Sequence, residues 1–315
     1  GMPILSFPGA KILNVTVDEL VKDGHLQALC MESIAKKYDM EMAVSLMDLS
    51  VEAEAFGSPV QFETEEVPTV REALIHDEEE AEELKVPAVG AGRTGECVKG
   101  IREACERITD RPVFAGIIGP YSLAGRLLDM TEIMILCYEE PEMVETVLEK
   151  ATEFLIAYAK AFKDAGANGV VMAEPAAGLL SPGLMEEFSN PYVKKVREAV
   201  EDDSFVVMYH NCGNIEPLLR QIRDVDAKVY SFGNAIDMEK ALQVIPQDRL
   251  VIGNIDPAGV LRNGTPELVR EETKKLLERC RKYPNFVIAS GCDIPPMTPF
   301  ENMDAFFETI EEFYK

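Results

Sequence analysis

The chain has 315 residues, 47% hydrophobic and 28% charged, an ordinary globular composition with ample apolar material for a core. Its 56 acidic residues against 31 basic ones give a formal net charge of -25, a surface that repels phosphate backbones and argues against a nucleic-acid partner. No secretory leader is visible and no apolar run reaches the length of about 18 residues that a membrane span needs. The seven cysteines are odd in number and irregularly spaced, so the expectation is a reducing cytoplasm rather than a disulfide framework or a membrane.

Gly1 before Met2 reads as the remnant of an expression tag. Short, β-prone apolar runs predict strands at 42–47, 113–118, 169–173, 205–209, 229–232, 250–253 and 286–289. Helical periodicity fills the gaps. In 141–165 the apolar positions Met143, Val144, Val147, Leu148, Ala151, Phe154, Leu155 and Tyr158 share one face, and Gly166 stops the helix. Ser181-Pro182, Thr265-Pro266 and Thr298-Pro299 each pair a hydroxyl N-cap with a proline at the first helical position, and Glu301 would complete a capping box for the last. The acidic run 77–83 is a solvated helix face or loop, and 57–64 looks like an inserted extended or hairpin element. Apolar strands linked by helices mean a parallel sheet covered on its outside. Seven clear strands and one missed make eight, so the predicted architecture is an α/β (β/α)8 TIM barrel, one domain over 2–315. The alternative is an open doubly wound sheet, but no strand leads into a Gly-rich dinucleotide or phosphate loop.

Barrel sites lie at the C-terminal ends of the strands, and the polar groups of this chain collect there. Asp48, with Glu52 and Glu54 beyond it, follows the first strand, and Tyr121 and Ser122 follow the second. Glu174 follows the third, His210 and Cys212 the fourth, Asn254 and Asp256 the sixth, and Cys292 the last. Residues two apart on a strand point to one side, so His210 and Cys212 can face a common point, with Cys292 reaching it from a second strand. One imidazole and two thiolates suit Zn2+, and three protein ligands leave a fourth tetrahedral position open, as in catalytic sites. The alternative reading is a core histidine and two buried free cysteines. Each carboxylate also has a structural alternative: Asp48 and Asp256 could cap helices, and Glu174 could hold a loop.

Together these stretches resemble the uroporphyrinogen decarboxylase superfamily, and within it the zinc-dependent methylcobamide:coenzyme M methyltransferases. The matching segments run through nearly the whole chain: 47–57, Gly119-Pro120-Tyr121-Ser122-Leu123-Ala124-Gly125, Glu174-Pro175 with Leu180-Ser181-Pro182, His210-Asn211-Cys212-Gly213, Gly253-Asn254-Ile255-Asp256-Pro257 and Ser290-Gly291-Cys292-Asp293. The resemblance implies that His210, Cys212 and Cys292 hold zinc. It further implies a methylcobamide donor on a small corrinoid protein and a small thiol acceptor such as coenzyme M. Tyr121, Ser122, Asn254 and Asp256 are then the expected substrate contacts, and Glu174 or Asp48 the group that takes the thiol proton or orients the substrate. The arginine-rich N-terminal motif of the true decarboxylases is absent: Gly24-His25-Leu26-Gln27-Ala28 stands in that region.

The charge of the predicted centre favours thiol alkylation. Zn2+ with two thiolates and a neutral imidazole sums to zero, and a thiol added at the open position ionises near neutral pH while electron density stays on its sulfur. For a sulfonate-bearing acceptor, Arg93, Arg126 and the loop amides near Gly119 are the available donors. The rival readings are a metal-free tetrapyrrole decarboxylase and a noncatalytic protein that captures a corrinoid or thiol.

Overall fold

A computed structural model describes residues 1–315. Seven parallel strands form one sheet: β1 (Ala43–Val44), β4 (Val113–Ile118), β5 (Gly169–Ala173), β6 (Val206–Asn211), β7 (Val229–Phe232), β8 (Leu250–Ile255) and β9 (Phe286–Ser290), side by side in that order. Helices run between successive strands, the longest being Pro141–Asp164, which ends before Gly166 at φ 103°. Gly166 adopts the left-handed backbone that closes a helix cheaply only at glycine.

The sheet curls into a TIM-barrel-like α/β fold. Ile4, Met42, Val44, Phe114, Val171, Met208, Val229, Ile252 and Ala289 pack together inside the curl. Alternate residues of the same strands, such as Val207, Tyr209 and Val251, join the much larger apolar layer beneath the helices. The eighth strand does not form as a ladder. Its place between β9 and β1 is taken by the N-terminal segment: the Met2 N–H donates to Ile288 O at 3.0 Å, the Ile4 N–H to Ser290 Oγ at 3.0 Å, and the Ser6 hydroxyl to Ser45 O at 3.2 Å. Pro3 has no N–H to give, so a regular ladder is broken there.

The element inserted after β1 is a hairpin, β2 (Val60–Gln61) antiparallel to β3 (Thr69–Val70). Asp77 caps the acidic helix Glu78–Glu83, accepting from the Glu80 N–H at 2.8 Å. Ser181 and Thr265 cap their helices as expected. Thr298 does not: its hydroxyl donates to Pro295 O at 2.8 Å, closing a turn, and the helix Phe300–Tyr314 starts after Pro299 without a side-chain cap. All seven cysteines are free, and no helix is long and apolar enough to cross a membrane.

Candidate metal centre and barrel mouth

β6 and β9 are three places apart in the sheet, which in a flat sheet would separate them by about 14 Å. The curl removes that distance. The ligand atoms of His210, Cys212 and Cys292 all lie within 4.8 Å of one another, the only group of three or more His, Cys, Asp or Glu side chains so placed to hold a metal. His210 is the next-to-last residue of β6, Cys212 directly follows the strand, and Cys292 stands two residues past β9. Gly233, just after β7, makes the approach possible: a Cβ there would sit 2.7 Å from Cys212 Cβ and 2.8 Å from its Cα.

Three observations fit a metal to this corner. The imidazole of His210 is buried, and its Nδ1 is 2.9 Å from the Ser231 hydroxyl, its register partner on β7. The other ring nitrogen, Nε2, is buried with no hydrogen-bond partner. A hydroxyl fixing one nitrogen while the other stands free is the arrangement of a metal-ligating histidine. The two thiols lie within 4.8 Å of each other, and their interaction pulls Cys212 down while that interaction and burial push Cys292 up to about 12. Two thiolates at this spacing repel each other, and a dication between them removes the repulsion. Both cysteines keep some exposure, so the corner opens to the mouth.

Elsewhere on the rim the expected site residues have other tasks. Glu174 is fully buried and holds the start of the helix Pro120–Leu128, one oxygen accepting from the Tyr121 N–H at 3.0 Å and the other from the Ser122 N–H at 2.6 Å. Burial pushes its carboxyl up to about 7 against those bonds. Gly119 leaves room for it, since a Cβ there would lie 2.5 Å from the carboxyl carbon. Asp48 accepts from the Ser50 N–H and hydroxyl with one oxygen and from Arg93 with the other, and Arg93 also reaches Glu54 at 2.6 Å. Every oxygen of the two carboxylates is thus engaged by at least one donor.

The four expected substrate contacts behave alike. The Tyr121 hydroxyl is buried 3.9 Å from Cys137 Sγ, among packing side chains, and Ser122 Oγ accepts from the Ala176 N–H. Asn254 Nδ2 ties the loops of Gly233 and Ile236, and Asp256 caps the turn that follows β8 through the Ala258 and Gly259 N–H groups. Asn254 and Asp256 also border an open groove of about 650 Å3 on the outside of β8, lined by neither Cys212 nor Cys292. The structure adds Ser231, which motif reading passed over and which could be found only from strand register. Glu52, already placed beyond the first strand, is buried, with one oxygen accepting from the Ile118 N–H at 2.9 Å and the other unpartnered. Asp293, beside Cys292, likewise carries a buried unpartnered oxygen.

Fold and site together define a TIM-barrel-like protein with a His/Cys/Cys corner at its mouth. The profile of the uroporphyrinogen decarboxylase (URO-D) family matches residues 4–313, and the chain belongs to that family. It is 29% identical to the methylcobamide:CoM methyltransferase MtbA of Methanosarcina acetivorans, over 84% of this chain and 78% of that one. It is 31% identical to the methylcobamide:CoM methyltransferase MtaA of Methanosarcina barkeri, over 70% of this chain and 63% of that one. A solved methyltransferase from Methanosarcina mazei superposes with a TM-score of 0.90 at 26% identity, covering 100% of this chain and 94% of its own.

Proposed function

We propose that this protein is an enzyme that moves a methyl group from a methylated corrinoid to a thiol held at a Zn2+ site made of His210, Cys212 and Cys292. The observation that carries this is the corner itself: three soft donors drawn together from strands three places apart, with His210 Nε2 left unpartnered. The relatives named for methylcobamide and CoM supply the donor and the acceptor class. The donor is the methylcobamide of a small corrinoid protein that docks over the mouth.

Bound at this corner, Zn2+ supplies an open Lewis-acidic position that favours the ionised form of a thiol. The chain's own groups do the rest. Ser231 holds the imidazole with Nε2 toward the two sulfurs, and both cysteines are partly exposed to an incoming thiol. In the transfer the sulfur lone pair forms the S–CH3 bond, the Co–C bond breaks with its pair left on cobalt as Co(I), and the thiol proton leaves to solvent. Glu174 and Asp48 act as positioning residues that hold the helix Pro120–Leu128 and the β1 loop.

The test is incubation with methylcobalamin and a panel of thiols, following Co(I) by absorbance and the thioether by mass spectrometry. Thiol-dependent Co(I) formation that stops on zinc removal and returns on zinc addition is the expected result. A metal-free decarboxylase leaves the corner without a role. It would be favoured by protein that purifies without zinc and consumes tetrapyrroles in the presence of chelator.

A further inference from the structure

Four buried polar atoms lie behind the metal corner without a hydrogen-bond partner in the chain: the Tyr209 hydroxyl, the Ser189 hydroxyl, and both Oδ1 and Nδ2 of Asn211. Asn211 is the last residue of β6 and stands between His210 and Cys212. Side chains alternate along a strand, so His210 and Cys212 share the inner face while Val207, Tyr209 and Asn211 share the outer one, under the helices. Tyr209 and Asn211 are fully buried, and so is Ser189, which precedes the helix Asn190–Val200 packed on β6. The three polar groups are neighbours: burial and the field of Glu174 raise the Tyr209 phenol, and Asn211 and Ser189 lie close enough to offset part of that rise. A residue that served packing alone would be apolar at this depth, as Val207 is on the same face. An amide and two hydroxyls taken out of water cost free energy until their donors and acceptors are met. Facing one another without a direct bond, they match the two to four polar partners that an internal water takes.

These groups sit where the strand needs holding. From one side the Glu174 N–H donates to His210 O at 2.9 Å, and from the other the Gly233 N–H donates to Asn211 O at 2.9 Å. The strand ends there, and Gly213 turns the chain at φ 81°. Cys212 stands beyond the last of these bonds, its carbonyl against the turn after β5, where a Cβ on Gly178 would lie 2.8 Å from that oxygen. A twist of the backbone at Asn211 swings Cys212 relative to His210. An anchor on the Asn211 side chain, on the face opposite the metal donors, therefore sets the angle between an imidazole and a thiol that must meet one ion.

We infer that Tyr209, Asn211 and Ser189 hold one ordered water behind β6, and that Asn211, anchored by it, is a positioning residue of the metal corner that fixes the strand end carrying His210 and Cys212. The role of Asn211 rests on the zinc reading of that corner, and the water site rests on the buried polar atoms themselves.

The test needs no turnover. A high-resolution crystal structure of the protein should show one water within hydrogen-bond distance of the Tyr209 hydroxyl and the Asn211 amide. The corner is then read in two ways: the visible bands of bound Co2+, which report the geometry of a His/Cys/Cys site, and the Zn2+ affinity by competition with a chromophoric chelator. Asn211→Leu keeps the shape of the side chain and removes its polar atoms. It should shift the Co2+ bands and raise the Zn2+ dissociation constant about 10- to 100-fold, the scale of losing a group that orients a metal ligand. Tyr209→Phe and Ser189→Ala each delete one oxygen with little change of packing, and should move both readouts less and in the same direction, which keeps the inference testable where Asn211→Leu does not fold. As a control, Thr273→Val removes a buried unpartnered hydroxyl in the helix Pro266–Cys280 and should leave both metal readouts unchanged, whatever it does to the urea midpoint. Wild-type Co2+ bands and Zn2+ affinity in all three variants of the β6 patch overturn the positioning role, and a crystal structure without a water on these groups overturns the water site. A wild type that binds neither metal removes the zinc reading of the corner, a result distinct from both.

Discussion

Two arcs of one rim carry reactive side chains and use them in opposite ways. On the arc from β6 to β9, His210 and the two cysteines converge with a ring nitrogen unpartnered and the thiols partly open to solvent. On the arc over β1, β4 and β5, Asp48 and Glu174 are engaged on both oxygens. What separates the arcs is the supply of N–H and guanidinium donors within reach. Glu174 lies opposite the open N-terminus of a helix and Asp48 opposite Arg93, whereas the thiols have only each other and an imidazole. A strand-end carboxylate is thus a poor guide to catalysis until its hydrogen-bond partners are known.

That contrast can be broken most severely at the corner. Cys292→Ala should lose zinc on dialysis and lower methyl transfer about a thousandfold or more, measured by metal analysis and Co(I) formation; full zinc occupancy would show that the corner is not the metal site. Across the rim, Glu174→Gln replaces an acceptor by an NH2 aimed at a helix N–H. It should cost about 2–3 kcal/mol of unfolding free energy by urea titration, with zinc retained. An unchanged urea midpoint would mean that Glu174 is not a structural cap.

Glu52 sharpens the comparison through pH. Burial pushes its carboxyl up to about 7, against an unfolded value near 4.3. Between those values the folded chain keeps a proton that the unfolded chain has released. This group's contribution to stability is therefore largest at low pH and falls as pH rises through the window. Glu52→Gln cannot ionise and keeps an acceptor for the Ile118 N–H. Its stability relative to wild type should rise by about 2 kcal/mol between pH 5 and pH 8, read from paired denaturation curves; a gap independent of pH would show that Glu52 does not titrate there. Ser231→Ala, which frees the His210 ring, should weaken zinc binding about tenfold with little loss of stability. Tyr121→Phe marks the smallest effect: with its hydroxyl buried beside Cys137, removing it should change the thiol KM less than about threefold.

Much of the fold was legible in the chain. Every predicted strand appears within a few residues, because apolar β-prone runs bounded by helical periodicity have few other ways to bury themselves. The first strand shrank from 42–47 to Ala43–Val44, and the eighth became an irregular segment carrying Pro3. Thr298 was misread as a cap because a hydroxyl before proline serves a turn as readily as a helix start. His210, Cys212 and Cys292 could be named as candidate metal donors from composition and strand ends, since few residue types bind zinc and only three histidines compete for the role.

The sequence by itself thus determined which strands form, that they lie parallel under helices, and which three side chains could share a metal. Those are local properties, set by periodicity and by the chemistry of single residues. Only the tertiary structure decided that strands three places apart meet at one corner, that Ser231 orients the imidazole, that Asp48 and Glu174 are engaged on both oxygens, and that the Tyr121 hydroxyl is buried beside Cys137. Each of these depends on sheet curvature, strand register or the position of a helix end, quantities that join residues far apart in the chain and leave no trace in any short stretch of it.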